Sequence, residues 1–409
     1  MAQQTTTRFP LFRLLVIAGA IFVNNTSEFL PTGLLPDIAS GLHVSESQVG
    51  LLVTVFAGTV VVATVPLTAL TRRVSRKWLM VVTLGVFVIV NVLCALAPTY
   101  EWLLAARVLG GLAHGLFWAV TGPYASRLVT RHHLSRAIAV TGGGSSAAFV
   151  LGVPLATALG HAVGWRLAFL VTAAAVLVFM ALVIALLPPV SHLIPPKTGV
   201  IELPLRRDRT APVVLVICVC VILIITGHNV LYTYIAPWIT QVAGMDASAV
   251  PAVLFAYGAS GAIGLVLAGW LGDRFPRAAL SVMVAAVAVV VGLLGFLGGT
   301  SPVAAVAGVV AWSIAVGGVG PLLQSRMMHG TSQRLRDIGS AWVTISFNVA
   351  IGGGALLGGV LLDAWGIATL PFATSVLLIT GLIFMLASDR FRISRHPSWP
   401  TGTISIPTH

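Results

Sequence analysis

Long runs of apolar residues, separated by short polar connections, make up almost the whole chain. An α-helix rises about 1.5 Å per residue, so about 20 apolar residues cross the hydrocarbon core of a bilayer. Twelve runs reach that length, and they predict transmembrane helices over residues 13–35, 47–70, 78–97, 101–123, 138–160, 166–187, 212–236, 249–271, 277–298, 302–325, 338–361 and 366–387. The pattern therefore predicts an all-α membrane protein with twelve transmembrane helices.

Two kinds of sequence feature recur at about half the chain length. The connection after the second predicted span, from Thr68 to Lys77, resembles the connection after the eighth, which begins 201 residues later at Gly269. Glycine triplets at 142–144 and 352–354 also repeat. Parallel repeats of this kind are a transporter architecture. With a proline-rich connection between them, they predict two pseudo-symmetric six-helix bundles: an N-terminal bundle at 1–187, a cytoplasmic linker at 188–211, a C-terminal bundle at 212–389 and a cytoplasmic tail at 390–409.

The charge of the chain fits a lipid environment. Only 8% of the residues are charged, against about 25% in soluble domains, and the net charge is +12. If the N-terminus is cytoplasmic, all but two of the 23 basic residues fall on the cytoplasmic side, the exceptions being Arg107 and Arg166. This asymmetry predicts an inner (cell) membrane location with both termini cytoplasmic. It accounts for the positive charge by contact with anionic lipid, without nucleic acid as a partner.

Five consecutive polar residues, Asn24 to Glu28, interrupt the first predicted span. A carboxylate in mid-span costs about 2.5–3.5 kcal/mol even on insertion scales, so such groups face a bundle interior or a watery cavity and mark functional sites. Arg107 in the fourth span is expected at the same depth, so it should pair with Glu28 or share a cavity with it. Because arginine stays charged, Glu28 is the group that would gain and lose a proton. The alternative is a static ion pair that joins two helices.

Other polar and aromatic residues within spans are candidates for substrate binding. Each also has a plainer interpretation, as a contact between helices, a hydrogen-bonded core group or packing. His228 lies near the position that corresponds to Glu28 in the second half and is a secondary candidate for proton coupling. The candidates for substrate contact are Asn24, Asn25, His114, Phe117, Trp118, His228, Tyr232 and Asn348.

The sequence lacks the patterns of an enzyme or a cofactor protein. Its three cysteines all lie in apolar spans, and no Cys/His spacing typical of a metal site occurs. The glycine triplets lack the Gly-Lys-Ser/Thr ending of a phosphate-binding loop, and we interpret them as packing surfaces between helices. We predict no enzymatic activity, no cofactor and no metal, and a monomer.

Several motifs resemble the major facilitator superfamily. The segment Gly269 to Arg277 is similar to its signature loop, Arg107 to Gly115 is similar to the Arg-x-x-x-Gly-x-x-x-Gly stripe of its fourth span, and Gly144 to Pro154 partly matches the motif of its proton antiporters. Thr26 to Ile38 and Ala113 to Trp118 further resemble bacterial sugar efflux transporters of the drug:proton antiporter branch, near purine nucleoside and chloramphenicol exporters. In the first signature loop, Arg72 stands where the family has an aspartate.

The resemblance implies a proton-coupled antiporter that exports small polar or amphiphilic molecules, such as sugars, by alternating access. Asp273, Arg274 and Arg277 would then act in gating by bridging to neighbouring helix ends when the cytoplasmic side is shut, unless these charges serve topology alone. Alternatives with the same fold are an exporter of chloramphenicol-like drugs or nucleosides, and a facilitator or symporter for uptake. A membrane receptor or membrane-embedded enzyme is a third class.

Overall fold

The computed structural model describes residues 9–71, 73–189, 208, 210–332 and 335–395. Across those residues the regular secondary structure is helical, and twelve helical segments are long and apolar enough to cross a membrane. The predicted all-α architecture with twelve spans is therefore confirmed.

The N-terminal half supplies six of these spans. Its helices are α1 (Leu11–Gly33), α2 (Leu35–Leu42), α3 (Glu46–Leu70), α4 (Arg76–Ala95), α5 (Tyr100–Arg127), α6 (Leu134–Ala147), α7 (Val153–Val163) and α8 (Trp165–Leu186). A π-helical turn, Ala148–Gly152, joins α6 to α7, so that these elements form a single span. The short helix α2 is an addition that follows the first span.

The C-terminal half supplies the other six spans. Its helices are α9 (Ala211–Tyr232), α10 (Ile235–Gln241), α11 (Val250–Arg274), α12 (Ala279–Leu297), α13 (Pro302–Val316), α14 (Val319–Gly330), α15 (Arg336–Trp365) and α16 (Leu370–Arg395). Helices α13 and α14 form one span that breaks at Gly317 and Gly318. The short helix α10 follows the first span of this half, as α2 does in the other.

Polar residues at the ends of spans explain where several helices begin. Ser45 forms a capping box with Gln48 at the start of α3, in which each side chain bonds to the backbone N–H of the other residue. Thr99 and Ser301 cap α5 and α13 in the simpler way, by accepting one bond from a backbone N–H in the first turn. These caps satisfy donors that would otherwise be left unpaired at the membrane boundary.

The two faces of the helical bundle differ in charge. Because the number of spans is even, α1 begins and α16 ends at the same face. We call this the basic face, since it carries Arg73, Arg76, Lys77, Arg127, Arg274 and Arg277. The opposite face, which we call the acidic face, carries Asp37, Glu46, Glu101, Asp246 and Asp363.

The two halves contact each other through the ends of their helices that lie nearer the acidic face. Helix α3 packs against α15, where Thr54 donates a hydrogen bond to the Gly352 carbonyl at 3.0 Å. At the acidic face itself, the Gln241 side chain donates to Glu46 at 2.7 Å. Farther along α3, Val62 and Val65 are exposed. The halves are therefore closed together at the acidic face and separate toward the basic face.

Tyr234, just before α10, fills a slot formed by glycines of both halves. Its ring is fully buried against Gly50 of α3 and against Gly358 and Gly359 of α15, and its hydroxyl donates to the Ala355 carbonyl at 2.8 Å. A side chain at any of these three glycines would overlap the ring. We refer to this contact as the Tyr234 slot.

Some predicted boundaries differ from the structure. The predicted spans did not include α2 and α10, which follow the first span of each half, and Pro36 and Pro237 lie in the first turns of these short helices. The predicted span 302–325 is two helices. Helix α16 continues to Arg395, beyond the predicted end of the bundle at 389. Most of the predicted linker, and the tail beyond 395, lie outside the described residues.

Candidate functional site

A cavity of about 680 Å³ lies between the two halves in the middle of the bundle. Its size falls in the range of small-molecule sites, which is about 300–1,000 Å³. The N-terminal half contributes residues of α1, α5, α6 and the π-helical turn, and the C-terminal half contributes residues of α9, α11, α13, α14 and α15. Because the halves meet at the acidic face, the cavity opens toward the basic face.

The five polar residues of α1 have polar partners inside the bundle, and two of them, Asn25 and Glu28, line the cavity. Four of them make hydrogen bonds: Asn24 with His114, Asn25 with Ser145, Thr26 with the Phe22 carbonyl and Ser27 with Asn91. All four are buried. The α1 segment therefore carries a polar network inside the bundle rather than a lipid-facing polar patch, as the cost of such groups in lipid requires.

Glu28 is the one acidic side chain among the described residues that line the cavity. Its side chain is 11% exposed, and its Oε2 lies 3.6 Å from Nε2 of His114 on α5. The carboxyl group thus borders both the cavity and a buried imidazole. This position suits a group that exchanges a proton with cavity water.

His114 sits in an aromatic environment that fixes its ring. Phe56 and Phe87 contact it edge-on, with ring centroids 5.2 and 6.3 Å away, and Trp118 lies 6.2 Å away on the cavity side. The Nδ2 atom of Asn24 lies 3.1 Å from Nδ1 of the imidazole. One ring nitrogen therefore faces the buried amide and the other faces Glu28.

Arg107 contacts the backbone of α1 rather than the Glu28 carboxylate. Pro31 in α1 has no N–H, so the carbonyl of Ser27, four residues earlier, cannot accept the usual helical bond. Arg107 donates to that carbonyl at 3.4 Å and to the Glu28 carbonyl at 2.9 Å. Its guanidinium also lies 4.4 Å from the centre of the Phe56 ring. The predicted pairing of Arg107 with Glu28 is thus replaced by a backbone contact, because Pro31 leaves a buried acceptor that a cation can satisfy.

Aromatic residues of the C-terminal half form the opposite wall. The His228 ring stacks on Tyr232 at 5.3 Å, and its Nε2 lies 3.4 Å from the Tyr257 hydroxyl. Trp312 of α13 packs edge-on against His228 and Tyr257, at 5.3 Å from each. Both walls of the cavity therefore combine polar and aromatic side chains, and the one carboxyl group among the described lining residues lies on the N-terminal wall. This arrangement suits a molecule with both polar groups and an apolar surface.

Most of the residues predicted to contact substrate line this cavity, but not all do. Six of the eight line it: Asn25, His114, Trp118, His228, Tyr232 and Asn348. Glu28, predicted to carry the proton, lines it as well. Asn24 lies behind His114, and Phe117 is fully buried in the apolar core of the N-terminal half, since α5 turns that ring away from the cavity. Arg107 is also buried outside the cavity lining.

The predicted gating charges lie at the basic face, where the halves are apart. Asp273, Arg274 and Arg277 are all exposed, and the Arg274 guanidinium lies 5.7 Å from the centre of the Phe275 ring. Arg72, in the corresponding loop of the first half, is outside the described residues. Within the described part of the chain, none of these three side chains forms a salt bridge across the two halves.

Sequence patterns missed several residues of the site. Phe29, Phe149 and Tyr257, which line the cavity, are isolated aromatics in apolar runs, where nothing distinguishes a cavity-lining ring from core packing. Trp312, which is buried behind His228 and Tyr257, is another such aromatic. For Phe149, the structure gives a signal that the sequence did not, because this residue lies in the π-helical turn and such turns occur often at functional sites. Gly258 of α11 lies directly against the Phe149 carbonyl, so a side chain there would prevent this crossing of the two halves. In the described ranges, no group of three His, Cys, Asp or Glu side chains could hold a metal ion.

The fold and cavity agree with a family comparison across most of the sequence. The model of the Major Facilitator Superfamily matches residues 17–355. The chain belongs to the Major Facilitator Superfamily. This transporter is 30% identical over 387 residues to a probable sugar efflux transporter of Mannheimia succiniciproducens, covering 94% of this chain and 95% of that protein.

Solved structures of other transporters share the fold. A bacterial homologue of the human lysosomal transporter Spinster, solved in an inward-facing and unoccupied conformation, superposes with a TM-score of 0.80 at 17% identity, covering 97% of this chain and 100% of that chain. A variant of the nucleoside transporter NupG superposes with a TM-score of 0.74 at 11% identity, covering 92% and 99%. These structures share the fold, and the family membership makes the chain a multi-pass membrane transporter of small molecules.

Proposed function

We propose that this transporter is a proton-coupled antiporter that exports small polar or amphiphilic molecules, with sugars as the leading class. The observation that carries the proposal is the position of Glu28, a carboxyl group on the cavity wall whose side chain is only 11% exposed. Burying an acid inside a membrane bundle costs free energy, so such groups usually have a function, and proton transfer is a common one.

The proposed cycle couples the proton to alternating access. With the cavity open to one face, Glu28 binds a proton, and with the cavity open to the other, it releases the proton while substrate moves the opposite way. The basic face is proposed to be cytoplasmic because the positive-inside rule places arginine and lysine there. Both termini would then be cytoplasmic, in the inner membrane, and the transporter would be a monomer.

The substrate class is supported by the two cavity walls and by the relative. Asn25, Ser145 and Asn348 offer hydrogen bonds of the kind that hydroxyl groups accept and donate, and Trp118 offers a face on which a sugar ring can stack. The curated relative is described as a probable sugar efflux transporter. Nucleosides and chloramphenicol-like drugs suit the same walls, so a thermal-shift screen of the purified protein against the three classes, at low and high pH, separates them.

Asp273, Arg274 and Arg277 are proposed as gating residues of the closed basic face. All three are exposed while the cavity is open at that face. In the reverse conformation the helix ends would approach, and these charges would bridge the halves. His228 is proposed to contact substrate, with Tyr257 orienting its ring.

The test uses Glu28→Gln in proteoliposomes, with the substrate class that the screen identifies. Under an imposed pH gradient, the wild type should accumulate substrate against its concentration gradient, and Glu28→Gln should not. Glu101→Gln serves as the matched control, since that acid lies exposed at the acidic face, away from the cavity. If Glu28→Gln still drives accumulation, proton coupling through this residue is wrong. If the wild type takes up substrate with the proton gradient rather than against it, the uptake alternative replaces export.

A further inference from the structure

Asn24 and His114 make a buried contact that determines where the imidazole carries its proton. The Asn24 amide nitrogen lies 3.1 Å from Nδ1 of His114, and the two residues are 0% and 4% exposed. An amide nitrogen can only donate, so Nδ1 must accept and carries no proton in the neutral ring. The proton of the neutral imidazole therefore lies on Nε2.

The same ring presents that proton to Glu28. Nε2 lies 3.6 Å from the Glu28 Oε2 atom, just beyond hydrogen-bond distance. Phe56, Phe87 and Trp118 enclose the imidazole, so the ring has little freedom to turn. A small rotation of the Glu28 side chain is enough to make or break the bond.

We propose that Asn24 is a positioning residue, which holds His114 as an Nε2–H donor to the ionised form of Glu28 while the cavity is open to the basic face. This inference rests on the proposed role of Glu28 as the proton carrier. In the step concerned, the O–H bond of the Glu28 carboxylic acid breaks and its proton passes to cavity water. The carboxylate then accepts a hydrogen bond from Nε2–H, and His114 keeps its own proton throughout.

The other titratable groups around Glu28 do not provide this bond. Arg107 on α5 is directed to the backbone carbonyls of Ser27 and Glu28. Cys94 on α4 is a buried thiol on the Arg107 side, and the groups on the opposite wall are His228, Tyr232 and Tyr257. None of the other described residues that line the cavity carries a carboxylate or an amine.

The orientation of the amide gives the inference its specific chemistry. Turning the Asn24 amide by half a turn would place its oxygen at Nδ1, which would then have to carry the proton. Nε2 would face Glu28 as a lone pair and would favour the protonated acid instead. In the orientation present here, the Asn24 oxygen has no hydrogen-bond partner. A side chain that cannot donate, such as leucine, would remove the preference for the Nε2–H form.

The test follows the Glu28 carboxyl group directly and needs no substrate. Infrared difference spectra of the full-length transporter in lipid are recorded over a pH series, and the carboxylic acid band of Glu28 is assigned by its loss in Glu28→Gln. In Asn24→Leu, the titration of this band should move to higher pH by about one to two units, because a hydrogen bond to a charged group contributes free energy of that order. Thr26→Val is the matched control, since the Thr26 hydroxyl bonds only to the Phe22 carbonyl of its own helix, and its titration should match the wild type.

A second measurement covers the case in which Asn24→Leu does not fold. Nitrogen-15 spectra of the wild type, with the His114 signals assigned by their loss in His114→Gln, should show the Nε2–H form at alkaline pH. An Nδ1–H form, or an Asn24→Leu titration equal to the wild type, would overturn the inference and leave the role of Glu28 intact. If no titrating band disappears in Glu28→Gln, the proposed proton carrier itself is wrong.

Discussion

Adding a single methyl group at Gly50 should open the acidic face of the transporter. A Cβ atom at this position would overlap the Tyr234 hydroxyl, and the ring has no space to retreat because Gly358 and Gly359 border it on the other helix. Gly50→Ala therefore prevents Tyr234 from fitting into the Tyr234 slot, a contact that forms only when the two halves are together at this face. The substitution should destabilise the closed conformation and leave the open one unaffected.

The size of the effect follows from two terms. Overpacking a filled site costs about 1–3 kcal/mol. Displacing the Tyr234 hydroxyl from the Ala355 carbonyl weakens a buried hydrogen bond whose net contribution is about 1 kcal/mol. A combined loss of about 2 kcal/mol allows for partial relaxation, and it changes the ratio of open to closed conformations by roughly 30-fold.

The assay measures labelling of a cysteine placed at the closed face. Ser47 is 8% exposed beside Gly359, so Ser47→Cys should react with a membrane-impermeant maleimide only when the face opens. The three native cysteines are buried and should give little background. Gly50→Ala should raise the labelling rate roughly 30-fold over Gly58→Ala, since each 1.4 kcal/mol changes the ratio of open to closed conformations tenfold. Gly58 lies on the same helix with no atom near the added Cβ, so it controls for the change in helix propensity. Equal rates in the two variants would refute the reasoning.

Three further predictions concern other residues of the transporter. Arg107→Lys should lower the thermal stability of the purified transporter, because one ammonium group cannot satisfy both α1 carbonyls. Adding Pro31→Ala should restore part of this loss, because it returns an N–H to the Ser27 carbonyl. Purely additive losses in a double-mutant cycle would contradict this account. Tyr257→Phe keeps the aromatic wall but removes the hydroxyl near His228, so transport assays should show a raised KM with proton coupling retained, and an unchanged KM would argue against a substrate role for this pair. Asp273→Asn should slow turnover without lowering thermal stability, since the carboxylate is exposed in this conformation, and a large stability loss would show a structural role instead.

The fold could be predicted from sequence because membrane spans follow from apolar length alone. Twelve runs of sufficient length define twelve spans, and the asymmetric placement of arginine and lysine orders them without knowledge of any contact. Boundaries were less accurate where glycine or proline lies inside an apolar run. The break at Gly317 and the short helix after Leu34 both depend on packing partners that a hydropathy pattern does not contain.

Site residues could be predicted where a polar side chain interrupts an apolar run long enough to cross the bilayer, and not elsewhere. Glu28, His114 and His228 stand out because placing an ionisable side chain inside a bilayer costs free energy. Arg107 was predicted to pair with Glu28 or to share a cavity with it. Its hydrogen bonds go to the backbone carbonyls of Ser27 and Glu28, and equal depth of two charges does not reveal that Pro31 frees a carbonyl nearby. Tyr257, which lines the cavity, and Trp312, which packs behind it, could not be selected, because aromatic residues in spans are compatible with lipid, core and cavity alike.

The division of the tenth crossing into α13 and α14 has a mechanical consequence. Gly317 and Gly318 lie directly against α11, and the shorter piece beyond them carries Gly320 and Pro321 on the cavity wall. A helix already interrupted bends at that point with few backbone hydrogen bonds to break. Helix α14 can therefore move toward the cavity while α13 stays packed. Occlusion of a bound molecule then does not require a rigid-body movement of both halves.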